Sequence, residues 1–293
     1  MTPQPATVPT KRPEGSVAYL KARTPHRIWS VARSAVRAVE RSVEGYPRRW
    51  GVLPTVHVTA VGVYRCRNAG TVREFIRGLP GGAAVHLHGL DGVADVLEPW
   101  TRSTGPGYRM PLLQGLVEGA SVPDLGSVLL FDDDVEFARD GGQTFPSIAI
   151  AAGFDIAQPA HRRVSERTYA HTAVRHLSTA RATDFVEVGP VVLLGPRALP
   201  LVLPFPPEAR MGWGVDVMWA ALRGKGLRLG IVDATPIVHL GAVGSDYDTS
   251  YESRALASAA EVAQRSSIPA SIGDVGQVWR PWQAQAPWMA GRR

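Results

Sequence analysis

Cysteine is nearly absent: Cys66 is the only one in 293 residues. That excludes an internal disulfide and a zinc site built on cysteines. Cys66 sits in Tyr64-Arg65-Cys66-Arg67, just past an expected strand, and reads as a small packing residue rather than a reactive thiol. Lysine is almost as scarce. Lys11, Lys21 and Lys225 are the only three, so arginine supplies the excess behind a net charge of +6. The arginines are scattered, with local pairs only at Arg48-Arg49, Arg162-Arg163 and Arg292-Arg293. No basic stripe interleaved with aromatics is present, and no nucleic-acid partner is expected. Long apolar runs are missing too. The longest apolar stretch, 186–205, is broken by Glu187, Arg197 and several Pro and Gly, far from the roughly 18 residues of a membrane span. Residues 1–13 lack the apolar region of a signal peptide. The expectation is a cytoplasmic protein whose Arg-rich surface suits an anionic small substrate or an acidic membrane surface.

A hydrophobic share of 45% and a charged share of 20% are those of an ordinary globular chain, long enough for one large domain or two small ones. Residues 1–26 have low apolar content and no period, and read as a flexible lead. Residues 27–54 read as a helix and linker: Ile28, Val31, Ala32, Ala35, Val36 and Val39 recur at helical spacing opposite arginines. That helix either packs on the domain or lies on a membrane surface. From Thr55, strands and helices alternate: strands 55–64, 83–90 and 127–131, helices 71–79, 92–100 and 108–119. Such alternation argues for an α/β fold with a mostly parallel sheet flanked by helices. The second half reads as an extended piece at 154–159, a strand from Phe185 leading to a helix at 196–202, a helix at 215–222, strands at 227–232 and 236–240, and a helix at 252–265. The last segment, 266–293, carries Trp279, Trp282 and Trp288 and is expected to pack back on the domain, because a free tail would expose too much aromatic surface.

The strongest chemical signal is Val128-Leu129-Leu130-Phe131-Asp132-Asp133-Asp134. Four apolar residues read as a strand buried on both faces. Carboxylates at its C-terminal end sit where open α/β sheets bind ligands. Adjacent carboxylates repel one another, and a hard divalent cation is the simplest neutraliser. Alternation in an extended segment would put Asp132 and Asp134 on one side and Asp133 on the other. An EF-hand is excluded, because Phe137 stands where that loop needs glycine.

Met211-Gly212-Trp213-Gly214-Val215-Asp216 is the second constellation. Its glycines let backbone approach a ligand, Trp213 offers a face for a sugar ring, and Asp216 in the first turn of a helix is placed to deprotonate a hydroxyl. His239 ends an apolar strand, where imidazole can complete a carboxylate site for a manganese-like ion. His86 and His88 share a strand face with no accompanying carboxylate or cysteine and read as structural. Asp91, just past that strand, reads either as a turn residue or as a contact to a base or ribose.

In this order, these features resemble the GT-A glycosyltransferases, in particular the large inverting family that uses nucleotide-sugar donors. The resemblance covers roughly residues 55–242. It implies a single GT-A, Rossmann-like domain over 55–265, with 55–140 as the nucleotide-binding half and 141–265 as a smaller acceptor-binding half. It implies nucleotide contacts from Val63, Arg65, Asp91, Arg109, Asp132 and Asp133. It makes Asp132-Asp133-Asp134 the family's DxD motif, with Asp132, Asp134 and His239 holding Mn²⁺ or Mg²⁺. It makes Asp216 the general base, and gives Trp213, Gly214 and Glu187 to the acceptor. The implied reaction moves a sugar from a nucleoside-diphosphate sugar, a UDP-sugar first, to a hydroxyl of a glycan, lipid or small molecule. Two other readings use the same residues: a haloacid-dehalogenase-like phosphatase with Asp132 as nucleophile, and a non-catalytic module that binds a nucleotide sugar.

Overall fold

The computed structural model describes residues 51–138, 141–207, 209–241, 257 and 274–290. The expected lead, the helix within 27–54 and most of the 252–265 helix lie outside the described residues.

Among the described residues, ten strands form one sheet. In chain order they are β1 (Val58–Tyr64), β2 (Ala84–Gly89), β3 (Thr101–Thr104), β4 (Ser127–Asp132), β5 (Val135–Phe137), β6 (Ile156–His161), β7 (Ala180–Thr183), β8 (Val191–Leu194), β9 (Leu229–His239) and β10 (Asp274–Trp279). Their order is β10-β7-β9-β6-β8-β4-β1-β2-β3, with β5 paired to the far end of β9. Strands β3, β2, β1 and β4 are parallel neighbours. Strand β8 runs antiparallel between β4 and β6, and β6 is parallel to β9. The sheet is therefore mostly parallel in direction, and only β5, β7 and β8 are reversed.

Helices cover both faces. On one side α1 (Ala69–Arg77) and α3 (Gly141–Ala151) pack Val72, Phe75, Phe145 and Ile148 against Ala60, Leu129 and Phe131 of the strands. The Phe75 and Phe131 rings stack with centroids 4.5 Å apart. On the other side α2 (Arg109–Glu118), α4 (Leu199–Val202) and α5 (Val215–Ala221) pack Met110, Leu113, Val202 and Trp219 against Val61, Val128 and Leu130. Alternate residues of β4 thus feed both layers. All four apolar residues, Val128 to Phe131, are buried, as the continuous run requires. Each large side chain so buried contributes about 1.5–3 kcal/mol.

Several elements differ from the sequence reading, each for a local reason. Segment 92–100 forms a 3₁₀ turn only at Asp95–Trp100, where Pro99 prevents a longer helix, and β3 follows it directly. Helix α3 begins Gly141-Gly142 and contains Pro146, which reads locally as a loop; burial of Phe145, Ile148 and Ala149 overrides that signal. The strand expected from Phe185 starts only at Val191. The strands expected at 227–232 and 236–240 are one strand, β9, that runs through Pro236. Proline is tolerated there because partners change: the β7 ladder ends at Val232 and the β5 ladder begins at Ile237.

The C-terminal segment closes the sheet edge. Strand β10 pairs with β7, and Trp279 is buried with its indole N–H donating to the Gln283 carbonyl at 2.9 Å. Trp288 stacks on Phe154 and donates to the Ala152 carbonyl at 2.6 Å. Trp282 remains half exposed, at 52%.

Candidate active site

Parallel strands bring their carboxyl ends to one sheet edge. Val63 of β1 is level with Asp132 of β4. His161 ends β6 and lies level with Ile237 of β9, two residues before His239. A cavity of about 350 Å³ opens at this edge. Its lining draws on Val63, Arg65, Gly107, Tyr108 and Arg109 from the first half of the chain and on Tyr169, Glu187, Met211, Trp213 and Asp216 from the second. Asp132, Asp133, Asp134 and His239 line the same cavity.

The three aspartates diverge because the chain turns immediately after Asp132, so period-two alternation does not continue. The Asp132 carboxylate accepts from Arg109 Nε at 2.6 Å. Asp133 accepts from the Arg65 backbone N–H at 2.7 Å. Burial pushes the Asp133 carboxyl up, outweighing that hydrogen bond and one from Asn68. Asp134 Oδ1 lies 3.2 Å from His239 Nε2. Antiparallel pairing of Val135 with His239 carries the preceding Asp134 to the imidazole. For Asp134, burial pushes upward, but the hydrogen bond and charge of His239 outweigh it and hold the group below its usual value. His239 is raised in return: burial opposes, and Asp134, then Asp132 and Glu187, overcome it. Among the described residues, no group of three or more His, Cys, Asp or Glu is gathered closely enough to hold a metal. Of the expected Asp132, Asp134 and His239, Asp134 meets His239 while Asp132 meets Arg109.

Two further acids line the cavity. Gly214 takes a left-handed φ of 86°, which turns the chain into α5. This sets Asp216 at the helix start on the cavity wall, beside Trp213. Burial, opposed by the Val217 N–H and reinforced by the Glu187 charge, pushes Asp216 up to about 7. Glu187 is likewise pushed up to about 7 by burial, against hydrogen bonds from Tyr169 and Thr172. Its Oε1 accepts from the Tyr169 N–H at 3.0 Å and the Thr172 hydroxyl at 2.9 Å. The Oε1 contacts of Glu187 run into the protein, and the residue also lines the cavity, where the sequence reading gave it to the acceptor.

Three residues named from sequence lie apart. Asp91 is exposed and accepts from the Cys66 N–H at 2.8 Å, outside the cavity lining. Partial desolvation, then the Asp91 hydrogen bond and charge, push the Cys66 thiol up, the reverse of a reactive thiol. His88 is buried, with its ring nitrogens 2.8 Å from Ser103 Oγ and 2.7 Å from the Gly105 carbonyl, a structural role. Conversely, Tyr169, Gly189 and His161 were not singled out from sequence. Tyr169 lies in an irregular segment with no period. His161 ends a strand at the ligand edge, the same positional signal that marked Asp132.

No protein-family model matches the chain, and no curated protein matches it by sequence. Among solved structures, a crystal structure of GalNAc-T7 with UDP, GalNAc and Mn²⁺ superposes with a TM-score of 0.52 at 10% identity, covering 82% of this chain and 57% of that one. The architecture is the GT-A fold. Staphylococcus aureus TarS is also similar, with a TM-score of 0.46 at 10% identity over 71% of this chain and 43% of that one. The chain thus spans little more than half the length of the first structure and less of the second. In this GT-A domain the cavity occupies the carboxyl edge of the sheet, and its lining includes Arg65 and Arg109 as well as Glu187 and Asp216.

Proposed function

We propose that this chain is a glycosyltransferase that moves a sugar from a nucleoside-diphosphate sugar, a UDP-sugar first, to an acceptor hydroxyl. One observation carries the reading: a single cavity is lined both by the Asp132–Asp134 cluster with Arg109 and His239 and by a half-buried acid, Asp216, beside Trp213. The GT-A fold supports it. The neighbour crystallised with UDP, GalNAc and Mn²⁺ supports the same class of donor and a divalent cation.

The donor set fits such an ion. Asp134 and His239 offer one carboxylate oxygen and one imidazole nitrogen 3.2 Å apart, a pair that suits manganese or magnesium. Ions of this kind often take one or two protein ligands and complete their shell with phosphate and water. Asp134 and His239 would hold it; when bound, it supplies charge to stabilise the departing diphosphate. Arg109, fixed on Asp132, and Arg65 add positive charge in the same cavity. Asp216 accepts the acceptor hydroxyl proton as that oxygen forms its bond to the anomeric carbon and the bond to the diphosphate breaks. One displacement inverts the anomeric centre. Trp213 shapes the acceptor side.

The phosphatase reading is less well supported. Asp132 would have to be an unencumbered nucleophile, yet Arg109 holds it at 2.6 Å. Lys225, the lysine that chemistry would need, is exposed and outside the cavity lining.

The first test is thermal unfolding with UDP, GDP, ADP and their sugars, each with and without Mn²⁺. A ligand at a hundredfold excess over Kd adds about 2.7 kcal/mol. A Mn²⁺-dependent shift with one base is expected, and no shift with any nucleotide refutes the reading. Asp216→Asn is expected to keep that shift and lower turnover by about 10²- to 10⁴-fold. Wild-type turnover in this variant would remove Asp216 as base.

A further inference from the structure

Strand β9 outruns two of its neighbours. Its ladder with β7 ends at Val232 and its ladder with β6 at Ile237. Past Ile237, β5, which lies off the main strand order, pairs with it as far as His239. This β5–β9 ribbon brings Asp134 to His239, and the Leu240 N–H donates to the Asp134 carbonyl at 2.8 Å. On the β6 side a turn cuts the ladder. The Arg162 N–H still reaches the Ile237 carbonyl at 2.9 Å. The Arg162 carbonyl, the next acceptor that a continued parallel ladder would offer β9, accepts from the Ser165 N–H at 2.9 Å instead. The His239 N–H donates to Ser165 Oγ at 2.7 Å. Ser165 is fully buried, and its hydroxyl is fully used. It donates to the Glu166 carbonyl at 3.2 Å, and it accepts from the His239 N–H and from Nδ1 of the equally buried His161, 3.1 Å away.

We propose that Ser165 is a positioning residue for the divalent cation: its hydroxyl replaces a missing strand partner, ties the tip of the β5–β9 ribbon to the turn after β6, and so fixes where Asp134 and His239 stand in the cavity. This rests on the reading of Asp134 and His239 as the protein ligands of that cation. Ser165 acts through the His239 backbone. Without its Oγ, the tie between β9 and the β6 side ends at Ile237, two residues short of the imidazole. A cation with only two protein ligands completes its shell with phosphate, so its affinity depends on where those ligands stand relative to the nucleotide. Groups that hold a ligand in place are felt in metal affinity even though they never touch the metal.

Ser165→Ala removes the oxygen and little else. Mn²⁺ binding to the full chain with UDP present is read from the electron paramagnetic resonance of free Mn²⁺, metal-free UDP binding by calorimetry, and folding by circular dichroism. Mn²⁺ affinity is expected to fall about tenfold, with metal-free UDP affinity and the folded spectrum unchanged. A serine that only supported the fold would lower the unfolding midpoint and leave the Mn²⁺ affinity of the folded chain where it was; that result overturns the proposal. If Ser165→Ala does not fold, Ser165→Cys, which keeps a weak acceptor at the position, is expected to weaken Mn²⁺ several-fold, and unaltered affinity there overturns the proposal equally. A parent chain that binds UDP but no Mn²⁺ defeats the cation reading and the proposal with it. Mn²⁺ held equally well by the parent and by Ser165→Ala defeats the proposal alone.

Discussion

Arg181 and Asp233 form a fully buried ion pair whose loss should be felt at the cavity wall. Their Nε and Oδ2 atoms are 3.0 Å apart, and both side chains are 0% exposed. Arg181 also donates to the carbonyls of His171 at 2.6 Å and Ala173 at 2.8 Å. Asp233 accepts from the Arg175 N–H at 2.8 Å and the Ser178 hydroxyl at 2.7 Å. The pair therefore ties the 171–178 segment to β7 and β9, and Tyr169 and Thr172 stand at the start of that segment. Arg181→Met leaves a buried carboxylate with two donors and no cation, plus two carbonyls without their guanidinium. Breaking such a pair from one side costs about 3–5 kcal/mol, a large part of the 5–15 kcal/mol that holds a typical domain. The midpoint of thermal unfolding should fall by roughly 6–20 °C. Arg181→Met with Asp233→Leu should recover part of the loss, because matched apolar replacement of a buried pair is often neutral; the two carbonyls, and the Arg175 N–H and Ser178 hydroxyl that lose Asp233, keep a residual cost of about 1–3 kcal/mol. Urea unfolding followed by circular dichroism at pH 7 reads all three proteins. A single-variant cost below about 1 kcal/mol, or a double variant no better than the single, would refute the reasoning.

Three further outcomes are expected. Gly189→Ala would put a Cβ 2.9 Å from Asp132 Oδ2 and 3.3 Å from Arg109, so calorimetry should show UDP binding weakened on the order of tenfold, about 1.4 kcal/mol; unchanged affinity would separate this ion pair from donor binding. Stability should decline from about pH 5 to pH 8, since Glu187 and Asp216, raised to about 7 when folded, bind more protons folded than unfolded as pH passes through this window. His239, also raised, adds to the decline once pH exceeds its unfolded value, whereas Asp134, lowered, adds nothing above the usual carboxylate range; stability that rises across this window would contradict these assignments. Asp134→Asn should abolish the extra thermal shift that Mn²⁺ gives with nucleotide, and an undiminished Mn²⁺ increment would place the ion elsewhere.

The sheet's first half was legible because its signals are local. Thr55 to Phe131 carries β-branched strands with Gly- and Pro-rich stops between them, and the parallel core follows within a few residues of each expected boundary. The second half was less so. Pro236 reads as a strand end unless the change of partners in β9 is known, and Gly141-Gly142 with Pro146 reads as a loop unless its burial is known. At the site, Asp216, Trp213, Arg109 and the aspartate cluster were visible from residue type and position along the chain, and the cavity brings them together. Asp91 was not separable from a turn residue by sequence, and it bonds Cys66 outside the cavity.

Composition and local pattern by themselves determined an α/β chain with no disulfide, no cysteine-based zinc site and a strand that ends in carboxylates. Those properties depend on residue identity and on periods of two and 3.6, which neighbours in sequence share. Tertiary structure alone decided which charges meet: Asp132 with Arg109 across 23 positions, and Asp134 with His239 through the β5–β9 register, with Glu187 and Asp216 brought to the same cavity. Pairings across such distances are set by strand order and packing, and no spacing along the chain encodes them.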